Sequence, residues 1–186
     1  MNKYIRTMFC LPFGMLKMAF TKVFHIRTFK GSLYSVVSPF TEISLEYGAK
    51  LNIGRKFRMR DGAKIRVRKG AECKIGKNVS VNSNNMIACH ESIFIGDNIQ
   101  FGPNVQIYDH DHDFRAEGGV SAMKYKTAPV EIGNNVWVGA NVVILRGTKI
   151  GDNCVVGAGA VIKGNYPDNS IIVQKRVEDV RAISKN

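Results

Sequence analysis

The sequence predicts an all-β solenoid, and two observations in residues 132–164, IGNNVWVGANVVILRGTKIGDNCVVGAGAVIKG, carry that prediction. The first is spacing: Ile132, Val138, Ile144, Ile150, Val156 and Ile162 stand six residues apart. The second is the company these residues keep. Ile-Gly or Val-Gly recurs at 132–133, 138–139, 150–151 and 156–157, and turn sequences such as Gly133-Asn134-Asn135 and Gly151-Asp152-Asn153 come next. A helix of period 3.6 scatters positions six apart over different faces, and an unbroken strand of period 2 has no use for the glycines. Short strands separated by turns build a triangular prism instead, with three sides making one coil of 18 residues. The aliphatic residues then point inward and stack in columns, and Val136, Val142, Thr148, Cys154 and Ala160 fill the corners. Each coil buries the face of its neighbour.

In chain order, the first element is a helix. Ile5, Met8, Phe9, Phe13, Leu16, Phe20, Val23 and Phe24 recur at three- and four-residue intervals, which predicts it over 3–24. Pro12 is expected to bend or split it. Residues 1–34 therefore form a basic amphipathic extension, packed on the solenoid's open end, placed between subunits, or lying on a membrane. The solenoid is expected over 35–164. Its early part is looser, with Arg58, Arg60, Arg66 and Arg68 alternating outward while Phe57, Met59, Ile65 and Val67 point inward. The six-residue beat is clear at Ile75, Val81 and Ile87, slips by two, and resumes at Ile95, Phe101 and Ile107. Residues 113–130, DFRAEGGVSAMKYKTAPV, lack the beat and read as an excursion loop swinging out between coils. Residues 165–186 read as a C-terminal cap, leaving the repeat at Asn165-Tyr166-Pro167-Asp168, with a short strand at 171–173 and a closing helix at 177–183.

The chain has 186 residues, of which 45% are hydrophobic, enough for one domain with appended pieces. No apolar run reaches the roughly 18 uninterrupted residues of a membrane span, because Lys17 and Lys22 break the N-terminal stretch. With no small-x-small cleavage site, that stretch reads as retained. Cys10, Cys73, Cys89 and Cys154 show no CxxC spacing and read as small core residues in a reducing, cytoplasmic compartment. The net charge is +12, and residues 1–30 hold six Lys or Arg with no acid. An anionic membrane surface, on the inner face of the cell membrane, or a phosphorylated lipid-linked acceptor suits that pattern. Nucleic acid is not expected, since no aromatic-rich motif accompanies the charge.

Chemistry concentrates just before the loop, in Ile107-Tyr108-Asp109-His110-Asp111-His112-Asp113. Histidine is the natural base at neutral pH, and a neighbouring Asp can orient one ring nitrogen. The alternative is a pair of surface histidines in a turn. The IGxx run, the histidine segment, the excursion loop and the stretch PVEIGNNVWVGANVVILRGTKIGDNCVVGAGAVI together resemble the hexapeptide-repeat, left-handed β-helix acyltransferases. Within these they are most similar to the O-acetyltransferases of galactosides, maltose and capsular or lipopolysaccharide sugars.

The resemblance implies a left-handed parallel β-helix, a homotrimer with active sites between neighbouring subunits, and acetyl-CoA as co-substrate, with no metal. It implies His112, five residues after Ile107, as the base that takes the proton of a sugar hydroxyl. It implies the backbone N–H of Ala140 as the oxyanion donor. The acceptor would meet Asn82, His90, His110 and Tyr108, with His90 standing where the galactoside enzymes carry an Asp. Trp137, Gly139, Ala140, Gly157 and Ala158 would flank the pantetheine arm, and Lys163 the 3′-phosphate of CoA. The Gly-x-Pro-Ala turn that usually ends the family is absent, which leaves Lys175 and Arg176 as further phosphate candidates. N-acetylation of an amino sugar nucleotide would use the same histidine. Two other readings are a zinc carbonic anhydrase using His90, His110 and His112, and a scaffold without catalysis.

Overall fold

The computed structural model describes residues 3–175. Three parallel sheets form the sides of a prism. The first side stacks Phe29–Gly31, Lys50–Ile53, Glu72–Ile75, Ser92–Ile95, Val130–Ile132, Lys149–Ile150 and Asn165–Tyr166. The second runs from Val36–Val37 through Trp137–Val138 to Ile171–Ile172, and the third from Glu42–Leu45 through Gln106–Tyr108 to Val161–Ile162. The sheets hold seven, seven and six strands, so the chain makes six complete coils and two sides of a seventh. The ladder thus begins at Phe29 and runs to Ile172, beyond the expected limits of 35 and 164 at both ends. The closing helix expected at 177–183, and Arg176, lie outside the described residues.

The column residues predicted from the six-residue beat are buried. Ile132, Val138, Ile144, Ile150, Val156 and Ile162 line the core, as do the corner residues Val136, Val142, Thr148, Cys154 and Ala160. The coil length is not constant. Along the first side Leu51 lies opposite Cys73, Cys73 opposite Ile93, Ile132 opposite Ile150 and Ile150 opposite Tyr166. Phe29 and Leu51 are as far apart along the chain as Leu51 and Cys73; after these two equal steps, and apart from the excursion, each step is shorter than the one before. The early coils are longer because strands such as Lys64–Val67 hold four residues, where later ones such as Lys149–Ile150 hold two. Ile65 and Val67 both point inward from one strand, with Arg66 between them facing out onto Glu42 at 2.6 and 2.9 Å. This accounts for the looseness of the repeat before residue 130.

The corners explain the glycines and asparagines. A Cβ on Gly54 would sit 2.5 Å from the carbonyl of Gly76, and one on Gly76 2.5 Å from that of Gly96. Asn78, Asn98, Asn135, Asn153 and Asn169 adopt positive φ, where a side-chain amide is tolerated better than a bulky group. Their amides form a ladder from coil to coil, each rung 3.0–3.2 Å long. Beside it, Asp97, Asn134, Asp152 and Asp168 each accept a backbone N–H from the preceding coil at 2.6–2.8 Å.

The helix α1 spans Lys3–Phe24 and passes through Pro12 unbroken. Pro12 lies on the exposed side, and packing of the opposite face holds the helix despite the lost intrahelical bond. On that face Gly14 lies against the first coil, where a Cβ would run into the Ser35 carbonyl oxygen and meet Val37 N at 2.8 Å. Met18 is fully buried, worth about 1.5–3 kcal/mol of apolar burial. The Lys17 ammonium donates to Pro39 O (3.2 Å), Thr41 O (2.6 Å) and Thr41 Oγ1 (2.9 Å). The helix therefore covers the open N-terminal end of the solenoid. One expectation is corrected here: despite Lys17 and Lys22, the segment Thr7–Phe24 is long and apolar enough, by length and composition, to cross a membrane.

Candidate active site

The excursion is a β-hairpin. His110–His112 pairs antiparallel with Tyr125–Thr127, placing His110 opposite Thr127 and His112 opposite Tyr125. Between the strands lie a turn at Asp113–Ala116 and a single helical turn at Gly119–Ala122. The coils before and after the hairpin stack directly on each other, with Ile107 opposite Ile144. The hairpin therefore leaves the prism at the edge between its third and first sides.

Five rings gather at its stem. His90 stacks on His110 with centroids 3.6 Å apart and an interplanar angle of 22°. Tyr125 lies against all three histidines, 4.5 Å from His90, 5.5 Å from His110 and 4.7 Å from His112. Tyr108 meets His110 edge-on at 5.8 Å, its hydroxyl donating to Gln106 Oε1 at 3.0 Å. His110 is nearly enclosed, whereas His112 is exposed at the outer end of the cluster. Thus Tyr108, His90, His110 and His112 come together, with Tyr125 as the common neighbour of the three histidines.

Beneath the rings lies Asp109, whose side chain is fully buried. It accepts the backbone N–H of His90 (2.8 and 3.0 Å) and of Glu91 (2.7 Å), and contacts His110 Nδ1 at 3.2 Å. Burial pushes this carboxyl up, but the bonds from His110 and the two backbone N–H groups outweigh that and hold it below the ordinary 3.8. His90 is pushed down to about 4, first by burial and then by the neighbouring His110, so its ring is neutral at pH 7. Arg146 Nε pairs with Asp111 Oδ2 at 2.5 Å and ties the hairpin to the next coil.

The other expected residues stand elsewhere. Asn82, Gly139, Ala140, Gly157 and Ala158 occupy the edge between the second and third sides, and Trp137 projects from the second side with 59% of its surface exposed. Lys163 is exposed on the hairpin's edge, two coils beyond the hairpin. Within one chain the expected set thus falls into two groups on different edges. The glycines answer first to packing: a Cβ on Gly139 would lie 2.6 Å from Ala158 N, and one on Gly157 2.9 Å from Val173 Cγ1. Ala140, half-exposed at the turn, accepts from Gly159 N at 2.7 Å through its carbonyl. Asn82 closes its own turn onto Ser83 N at 2.9 Å.

The sequence pointed to an Asp orienting a histidine without saying which, and the fold selects Asp109 by burying it under His110. Sequence reasoning missed one member. Tyr125 is separated from the histidines by the hairpin tip; the alternation Tyr125-Lys126-Thr127 is its only local signal. Among the described residues no group of three His, Cys, Asp or Glu side chains is arranged to hold a metal ion. His90 and His110 face each other ring to ring, and His112 turns onto Tyr125.

Comparison with known proteins adds relatives to this geometry. Residues 129–164 match the bacterial transferase hexapeptide family (six repeats). The chain is 36% identical over 109 residues to the galactoside O-acetyltransferase of Escherichia coli (strain K12), covering 59% of this chain and 53% of that protein. It is 38% identical over 103 residues to the putative lipopolysaccharide biosynthesis O-acetyl transferase WbbJ of the same organism, covering 51% and 53%. In both cases the matched region spans about half of the relative's length. In fold it is similar to AntD, an N-acyltransferase from Bacillus cereus solved in complex with dTDP and Coenzyme A, with a TM-score of 0.68 at 21% identity over 88% of this chain and 89% of that one. The chain is thus a hexapeptide-repeat solenoid carrying the bacterial transferase repeat, similar through much of its length to sugar O-acetyltransferases.

Proposed function

We propose that this protein is an acetyl-CoA-dependent O-acetyltransferase acting on a sugar hydroxyl of a cell-surface polysaccharide or its precursor, working in the cytoplasm. The observation that supports it most is the hairpin stem. A buried carboxylate and a tyrosine organise two imidazoles on a projecting arm against a third, His90, at the coil corner beneath it, and the outermost, His112, is open to an incoming acceptor. The relatives named as O-acetyltransferases support the hydroxyl as nucleophile.

Acetyl-CoA would supply the activated acyl group as a thioester. A hydroxyl is a poor nucleophile at pH 7, and His112 takes its proton as it attacks. The Ala140 N–H donates to the oxygen that gains charge; the tetrahedral adduct then collapses, the C–S bond breaks, and the thiolate of CoA leaves with the proton that His112 took. The exposed indole of Trp137, beside the corner that carries Gly139 and Gly157, suits the apolar arm of an elongated ligand, and the ammonium of Lys163, on the hairpin's edge, suits a phosphate. Because the hairpin and Ala140 lie on different edges of one prism, the reading requires a second copy. A homotrimer sets the hairpin edge of one subunit beside the Ala140 edge of the next. The acceptor then meets His90, His110, Tyr108 and Asn82.

The test is thiol release from acetyl-CoA against a panel of sugars, amino sugars, nucleotide sugars and polysaccharide fragments. His112→Ala is expected to lower the rate by about 10²- to 10⁴-fold while leaving the fold intact. Equal turnover by both proteins rejects His112 as base. Turnover of amino sugars alone moves the reading to N-acetylation.

A further inference from the structure

The helix that closes the solenoid has a second face that is exposed, with no partner among the described residues. Phe9, Phe13, Leu16, Phe20 and Phe24 recur at three- and four-residue spacing along it, each between 50% and 67% exposed. Phe20 and Phe24 touch with ring centroids 4.5 Å apart. The row continues beyond the helix into Phe40, which is 76% exposed and sits between the two residues that hold Lys17. Soluble surfaces scatter such side chains singly; a contiguous stripe of them marks an interaction face.

Charge selects the partner. Residues 1–41 contain no acid, while Lys17, Lys22, Arg27 and Lys30 are among the cations of this end. Pairing this face with its counterpart on a second copy would bring like charges together. An anionic lipid surface offers the opposite charge together with an apolar interior, the combination that in-plane amphipathic helices use.

We infer that the exposed face of α1 docks this protein onto an anionic membrane, with the helix lying in the plane of the interface. Spanning is the competing arrangement, and the packing decides against it. Crossing would pull Met18 out of the core, strip Gly14 from the first coil, and break the three hydrogen bonds of the Lys17 ammonium. In-plane docking keeps all of these and inserts only side chains that are already exposed. The inference is independent of the acyl-transfer reading, since it uses none of the residues of the hairpin stem or of the Ala140 edge.

The experiment is vesicle flotation of the full chain, with phosphatidylcholine alone and with added phosphatidylglycerol. Wild type is expected to float with the anionic vesicles, less at high salt, and to be released by alkaline carbonate. The double variant Phe13→Glu/Phe20→Glu is expected to lose at least about tenfold in partitioning, with its circular dichroism unchanged. A Phe20→Trp variant is expected to be quenched by brominated lipid. Three results overturn the inference: no flotation of wild type, equal flotation of the double variant, or dissociation of a wild-type oligomer by the double variant without lipid. The last would make the face a subunit contact. Resistance to carbonate would overturn the in-plane form.

Discussion

At the residue scale the site depends on Asp109 more than on any histidine. Its carboxylate accepts two backbone N–H groups at the corner that carries His90 and also meets the His110 ring. Asp109→Asn keeps the shape but turns an N–H group toward those donors, at a cost of about 3 kcal/mol and a fall of several degrees in melting temperature. The pH dependence of stability has two parts. His90 binds its proton only near pH 4 in the fold but at its ordinary 6.5 when unfolded. Its contribution is therefore complete above 6.5 and is lost as the pH falls from 6.5 to 4. Asp109 is held below its ordinary value, so its contribution persists above that value and is lost as the pH falls through its lower folded one. Denaturation at stepped pH is expected to show both declines, and His90→Gln to flatten only the upper one. The sequence offered an Asp to orient a histidine, but not which one, nor its bonds to the His90 and Glu91 backbone, because those form only when a coil corner closes over Asp109.

At the scale of the element, the coil corners separate the required glycines from the permissive ones. Gly139→Ala places a methyl 2.6 Å from the backbone nitrogen of Ala158, which cannot yield without shifting a coil. Gly157→Ala meets only the side chain of Val173, near the end of the stack. The first is expected to cost about 1–3 kcal/mol and the second clearly less, measured as shifts in denaturation midpoint. The six-residue beat made the inward columns and corners legible, because each such position sees the same neighbours above and below. The ligand-arm role of the glycines came from the family resemblance instead, and Gly139 is required for stacking whether or not it has that role. Pro12 leaves the helix unsplit for a related reason: local propensity favours a break there, and tertiary packing through Gly14 and Met18 overrides it.

For the whole molecule, the hairpin is an addition to a continuous stack. Residues 93–95 pair directly with 130–132 across it, and Phe101 with Val138. Replacing residues 110–127 by a short glycine linker is therefore expected to leave the melting temperature within a few degrees while abolishing thiol release. A large loss of stability would show that the arm supports the prism. The excursion was legible as a missing beat, but its strand pairing was not, since each strand is three residues long and the partners meet only through the fold. The taper of the stack, from wide early coils to narrow late ones, has a consequence for how such a chain can lengthen. Tandem duplication of segment 133–150 next to Ile150 would keep every ladder in step, because its rung matches those around it. The same insertion between Leu51 and Cys73 would set two-residue strands against four-residue ones, so new rungs can be spliced in only toward the narrow end.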